Sequence, residues 1–223
     1  MPATVARTLI RGLCLLGVVL LPALSGCGGQ PRTLDQVTAR EALLAETELP
    51  SGGWRLVGAT QTPPGQAQPR PSLASGACGR ALGLLDELEH GSAGYAKGSY
   101  AKDGFPLIEV VVQGYSSLPS DLTRLTEIVR GCPSGTLEQD GATVPFTLAP
   151  RGYPESGANG ARLTVISIDG PRAIDIAVAS RGESVVVGTA TGPASEAGER
   201  EVTTLLDGVV AAQLRKLETT LGS

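Results

Sequence analysis

A single histidine, His90, serves the whole chain, and that scarcity removes most general-base chemistry at once. A serine nucleophile needs a base to take its proton. His90 stands at the polar end of a predicted helix beside Gly91-Ser92, and neither Gly91-Ser92-Ala93-Gly94 nor Gly114-Tyr115-Ser116-Ser117 has the G-x-S-x-G spacing of a nucleophile elbow. Two cysteines in the folded region and one histidine do not make the tetrahedral N/S set of a zinc site. Walker loops, G-x-G-x-x-G after a strand, H-E-x-x-H and EF-hand loops are all missing. Paired carboxylates for glycoside hydrolysis can be drawn from Asp86, Glu87, Glu89, Asp103, Glu109 or Asp175, but any set of 22 acids offers such pairs. Basic residues are also few, 18 against those 22 acids, so there is no cationic stripe for nucleic acid and an anionic lipid surface repels the chain. No cofactor, no metal and no catalytic constellation is expected, and the chain reads as a non-enzyme.

No apolar run is long enough to span a bilayer, which takes about 20 residues as a helix. The longest, Leu13 to Leu24, follows a short basic segment carrying Arg7 and Arg11 and is interrupted by Gly17 and Pro22. This is the form of a signal peptide, residues 1–26. It closes with Leu24-Ser25-Gly26-Cys27, which resembles the lipobox of bacterial lipoproteins. The resemblance implies that the Cys27 thiol takes a diacylglyceryl group carrying palmitate-type chains and becomes the new N-terminus. One acyl chain holds a protein marginally at about 0.8 kcal/mol per buried CH₂, whereas two or three hold it firmly. The expected location is the extracytoplasmic face of the cell membrane, with residues 27–33 as a small polar tether. Loss of the leader removes two arginines and no acid, taking the formal net charge from −4 to −6. Lysine is confined to Lys97, Lys102 and Lys216 and asparagine to Asn159, while glycine, alanine and proline are plentiful. That balance resembles high-GC actinobacterial proteins.

Cys14 leaves with the leader and Cys27 is consumed by lipid, so Cys78 and Cys132 are an even pair in an oxidising compartment. A disulfide is expected, closing a loop of about 55 residues and stabilising the domain by roughly 4 kcal/mol in the chain-entropy model. The other reading is two buried free thiols.

Residues 34–223 fit one domain with ample length for a core. Periodicity predicts a helix over 35–46 with Val37, Ala39, Leu43 and Leu44 as its apolar residues, then a turn and a strand at Trp54 to Val57. A Pro-rich loop over 62–71 precedes a second helix, capped by Ser75 and running to Glu89, with Cys78, Leu82 and Leu85 on its apolar face. A third helix is expected from the cap Ser120 to Arg130. Strands are expected at 95–101 and 107–115 around Lys102-Asp103-Gly104, and at 136–139 and 142–148 around Asp140-Gly141. A three-strand meander follows at 162–168, 173–180 and 184–190, separated by Asp169-Gly170-Pro171 and Arg181-Gly182-Glu183. A final helix over 195–218 carries acids in its first turn and Arg215 and Lys216 in its last. The fold class is α+β, a largely antiparallel sheet packed by amphipathic helices.

Tyr95, Tyr100 and Tyr115 cluster on neighbouring strands in a chain poor in aromatics, and Glu109 and Asp175 interrupt apolar strands. Together they are a candidate ligand cleft, although tyrosines on strands more often pack the sheet. The lipobox, the helix ending Leu43-Leu44-Ala45-Glu46-Thr47-Glu48-Leu49-Pro50-Ser51-Gly52-Gly53-Trp54, a cysteine at one helix and another after the next, the meander and the final helix together resemble actinobacterial lipoproteins. The nearest are those like the PknH-type extracellular sensor domain and the LpqN-type, with a Mog1/PsbP-like sandwich. The resemblance implies a non-catalytic binding or sensing module. The kinase sensors usually carry two disulfides, and this chain has cysteines for one. Its partner would be an unknown small molecule or lipid, or, on a structural reading, another envelope protein. A hydrolase without a recognisable motif is the remaining alternative.

Overall fold

The computed structural model describes residues 34–61, 76–88, 93–103, 107–139, 142–167 and 170–222. The leader, Cys27 and its tether, the Pro-rich stretch 62–71, Ser75, His90 and parts of three expected turns (Gly104, Asp140-Gly141 and Asp169) lie outside them. Among the described residues no helix is long and apolar enough to cross a membrane.

Eight strands form one antiparallel sheet. They are β1 (Arg55–Thr60), β2 (Gly94–Ala101), β3 (Ile108–Gly114), β4 (Ser134–Gln139), β5 (Ala142–Tyr153), β6 (Ala158–Ser167), β7 (Gly170–Arg181) and β8 (Ser184–Pro193). Their spatial order is β1-β2-β3-β8-β7-β6-β5-β4, so two meanders meet where β3 lies against β8. The expected α+β class is therefore observed. The meander strands run longer than their apolar cores suggested: Gly170 and Pro171, read as turn residues, pair with Ser167 and Ile166. Pro171 lies beyond Arg172, the outermost β7 residue that pairs with β8, a position where a missing N–H is tolerated.

Helices cover both faces. On one lie α1 (Gln36–Ala42) and the long α4 (Glu196–Leu221); on the other lie α2 (Ala77–Glu87) and α3 (Leu125–Arg130). The Ser120 to Arg130 stretch is a 3-10 turn (Ser120–Arg124) leading into α3 rather than one helix. Two predicted helix faces are met in part, with Ala39 and Leu44 buried and Leu43, Cys78 and Leu82 packed against the core. In α1 the buried residues are Ala39 and Ala42 while Val37 is 69% exposed. In α2 they are Ala81, Leu84 and, just past its end, Leu88, with Cys78 and Leu82 half-buried beside them. Small residues decide the first case, because alanines let the helix sit close to β2. Cys78 and Cys132 form the expected disulfide, their Cα atoms 4.7 Å apart, and it joins α2 to the end of α3.

In β7 the buried face of the strand is the one bearing Ala173, Asp175, Ala177 and Ala179, which faces α4, whereas Ile174 and Ile176 on the opposite face are half-buried. The larger apolar residues therefore stand on the α2/α3 face, where Val178 is buried, and the alanines on the α4 face. On β8 a Cβ added at Gly188 would stand 2.6 Å from Val210 Cγ2, and one at Gly192 2.7 Å from Val202 Cγ2. The helix rests directly on strand backbone.

The chain enters the domain in the same manner. Leu34 is fully buried, and its carbonyl oxygen lies where a Cβ at Gly94 or Gly114 would need to be, at 2.4 and 2.3 Å. Next to it, the Gln36 side chain accepts from Tyr95 N at 3.2 Å and donates to Tyr95 O at 2.7 Å. β1 pairs with β2 no further than Thr60 opposite Lys97, so this amide supplies the hydrogen bonds of a strand that has ended.

Candidate functional site

The five residues read as a cleft are divided between the two faces of the sheet. Tyr100 and Asp175 lie on the α1/α4 face, and Tyr95, Glu109 and Tyr115 lie on the face of α2 and α3. Tyr95, Tyr100 and Tyr115 are all buried. Tyr100 donates to Leu44 O at 2.7 Å, and Tyr115 donates to Leu88 O at 3.1 Å. Burial pushes both phenols up to about 12, with Glu48 and Glu46 adding to the effect at Tyr100. They are neutral donors that fasten connecting segments to the sheet. Glu109 is half-exposed and pairs with Lys97 at 2.9 Å and Ser99 at 3.1 Å.

Asp175 does belong to a constellation, with partners the sequence reading passed over. Counting outward from the paired Ser167 and Gly170 sets Arg162 opposite Asp175, and Arg162 Nη2 lies 3.5 Å from Asp175 Oδ2. Arg151, from the next strand, projects from the same face. Above them the first turns of α4, capped by Ser195, bring Glu199 and Thr203. One oxygen of Glu199 contacts both guanidiniums, Arg151 and Arg162, the latter at 2.8 Å. Thr203 donates to Asp175 Oδ2 at 3.3 Å.

The group is electrically neutral, and its inner pair is deeply set. Asp175 has no exposed side-chain surface and Arg162 only 6%. Yet it is poorly satisfied: the two terminal nitrogens of Arg162, Arg151 Nε and Asp175 Oδ1 are buried without a directed hydrogen bond. Buried polar groups normally find partners, and an unmet one costs about 1–3 kcal/mol. Burial accordingly raises the Asp175 carboxyl above its ordinary value, and the opposing pull of Arg162, Thr203 and Arg151 does not cancel it. Tyr153, beside the group and donating to Ile176 O at 3.2 Å, is raised mainly by burial.

Glu199, Thr203 and Arg151 also form one wall of a cleft of about 680 Å³ whose lining includes Pro150, Gly152, Thr204 and the Glu196–Arg200 pair. Asp175 is sealed beneath it, with no exposed side-chain surface, and touches the cleft only through Thr203. What the arrangement offers a ligand is charge and hydrogen-bond direction. A second carboxylate on α4, Asp207, has a purely structural setting: it accepts from Glu155 N at 2.9 Å, Ser156 N at 2.8 Å and Ser156 Oγ at 2.7 Å, pinning the β5–β6 turn to the helix. Among the described residues no group of acids, cysteines or histidine is placed to hold a metal.

No known family matches the sequence, and no curated protein matches it either. Solved structures do. The extracellular domain of PknH from Mycobacterium tuberculosis superposes with a TM-score of 0.63 at 13% identity, over 85% of this chain and 99% of that domain. A Mycobacterium smegmatis protein, the Rv0999 ortholog, is similar at a TM-score of 0.43 and 16% identity over 80% and 97% of the two chains. The first likeness establishes a shared fold, the one the PknH-type resemblance implied; the second is too distant to argue from.

Proposed function

We propose that this chain is a bacterial lipoprotein in which lipid on Cys27 holds residues 34–223 at the extracytoplasmic face of the membrane as a ligand-binding, sensor-like domain. The observation that carries the reading is the fold shared with the extracellular domain of PknH over nearly the whole of that domain. In this chain the fold follows a leader-like segment and the lipobox-like Leu24-Ser25-Gly26-Cys27. The cleft at α4, with underused arginines in and beneath its wall, supplies a place for a ligand to act.

Two measurements test it. Cys27→Ser is expected to accumulate as unprocessed precursor; cleavage of that variant at the same bond, with membrane association intact, would remove the lipoprotein assignment. Native mass spectrometry of the mature protein from a high-GC host is expected to reveal a co-purifying molecule that leaves on denaturation. A clean apo mass favours the second reading, a protein-interaction lipoprotein. That reading has its own support in an open trough of about 790 Å³ along the outer side of α4, floored by Leu205, Gly208 and Ala212 and walled by Pro50 and Glu155.

A further inference from the structure

We propose that Arg151 and Arg162 form an anion subsite whose resident occupant is Glu199, and that a ligand binds by displacing Glu199 with a single negatively charged group, a carboxylate or a phosphodiester. This deepens the ligand-binding reading and rests on it. Three observations carry it. First, one Glu199 oxygen spans both guanidiniums, yet both terminal nitrogens of the nine-tenths-buried Arg162 and Arg151 Nε make no directed hydrogen bond. Arginine presents a planar fork that pairs best with two oxygens side by side, and a carboxylate arriving from α4 at a fixed angle does not meet it. Second, the charges set the valence. Arg162 and the neighbouring Arg151 carry two positive charges against the one negative charge of Asp175, which is fully buried and held between Arg162 and Thr203, and Arg200 at the cleft is already paired with Glu196, so the site is balanced by one further negative charge and a dianion would leave an excess. Third, the occupant can leave. The Glu199 side chain is 32% exposed and lines the 680 Å³ cleft, so it has both water to move into and a space behind it for an incoming group.

An internal occupant competes at the effective concentration set by its short attachment, in the millimolar range or above. Deleting its charge therefore unmasks the subsite. The test titrates the full mature protein with acetate and, separately, with dimethyl phosphate, following thermal midpoint and arginine side-chain NMR signals. Glu199→Gln is expected to bind at least one of these monoanions about tenfold or more tightly than the wild type. Arg151→Gln in the Glu199→Gln background is expected to abolish the gain, and because Arg151 is the more exposed of the two arginines that variant tests the site with Arg162 left in place. Glu218→Gln, the same charge change at the far end of α4, is expected to leave anion affinity at the wild-type level. Preference for acetate or for dimethyl phosphate tells a carboxylate ligand from a phosphodiester one. If Glu199→Gln binds neither anion, or binds them no better than Glu218→Gln does, the cluster is only a bridge docking α4 on the sheet and the proposal is overturned. A neutral ligand found by native mass spectrometry, with affinity unmoved by Arg151→Gln, overturns the subsite while leaving the binding reading in place. An apo mass combined with monoanion binding by Glu199→Gln does the reverse.

Discussion

At the scale of single residues, the buried carboxylates of α4 and β7 show that position alone does not give a role. Asp207 has three donors and Asp175 has an unmatched oxygen. For Asp175 the folded-state value is raised, so its neutral form is favoured by the fold. The resulting stability is complete below the ordinary value of 3.8 and is lost as pH rises through the elevated value. Asp175→Asn fixes the neutral form, so the melting temperature of the variant minus that of the wild type is expected to grow with pH across that interval in scanning calorimetry. A difference that stays constant with pH would show that the Asp175 charge is not penalised. Glu48 behaves oppositely: Lys216 and the Ala45 N–H lower its value, and its contribution, present above 4.5, is lost as pH falls through the lowered value.

At the scale of elements, the seat of α4 is fixed by what β7 and β8 omit. Gly188→Val is expected to cost about 1–3 kcal/mol through overpacking against Val210 and Leu206, read as a lower denaturation midpoint at unchanged m-value. A variant of full stability would mean that the helix can lift. The strands, the meander and the long terminal helix were legible in the sequence because period and turn residues report them directly. Two things were not. The alternation of Ile174, Ile176 and Val178 with Ala173, Asp175 and Ala177 says that two faces exist, but not that the helix chooses the smaller side chains; close approach of backbones favours alanine and glycine, which hydropathy ranks lower. The Arg162–Asp175 pair was within reach, since an arginine and an aspartate equally far from one hairpin turn must face each other. Arg151 and Glu199 were not, because their meeting depends on how a distant helix is laid across the sheet. The proposed tyrosine cleft failed for a related reason: Tyr95 and Tyr100 are five positions apart on β2, an odd spacing that sends them to opposite faces.

At the scale of the whole molecule, the Cys78–Cys132 bond closes a loop of 54 residues containing β2 and β3, the second of which meets β8 where the two meanders join. Replacing both cysteines by alanine is expected to lower unfolding stability by about 4 kcal/mol in the chain-entropy model, checked by urea titration with and without reductant. Reductant is expected to bring the wild type to the same midpoint. If the double variant is as stable as the oxidised protein, the bond adds nothing that α2 and α3 do not already hold.

The 26 residues of α4 make a rod of about 39 Å at 1.5 Å per residue. One end carries Glu199 over the arginines. The other is held by Lys216 to Glu48 and by Glu218 to Arg181, with Gln213 bonding Ala42 and Leu44 at the end of α1. Gly188 and Gly192 let the rod rest directly on strand backbone, so a shift of its first turn is resisted along its length. If a molecule takes the place of Glu199, the disturbance is expected to reach the Gln213 contact with Ala42 and Leu44 at the opposite end of the rod, from which the chain runs back to Leu34.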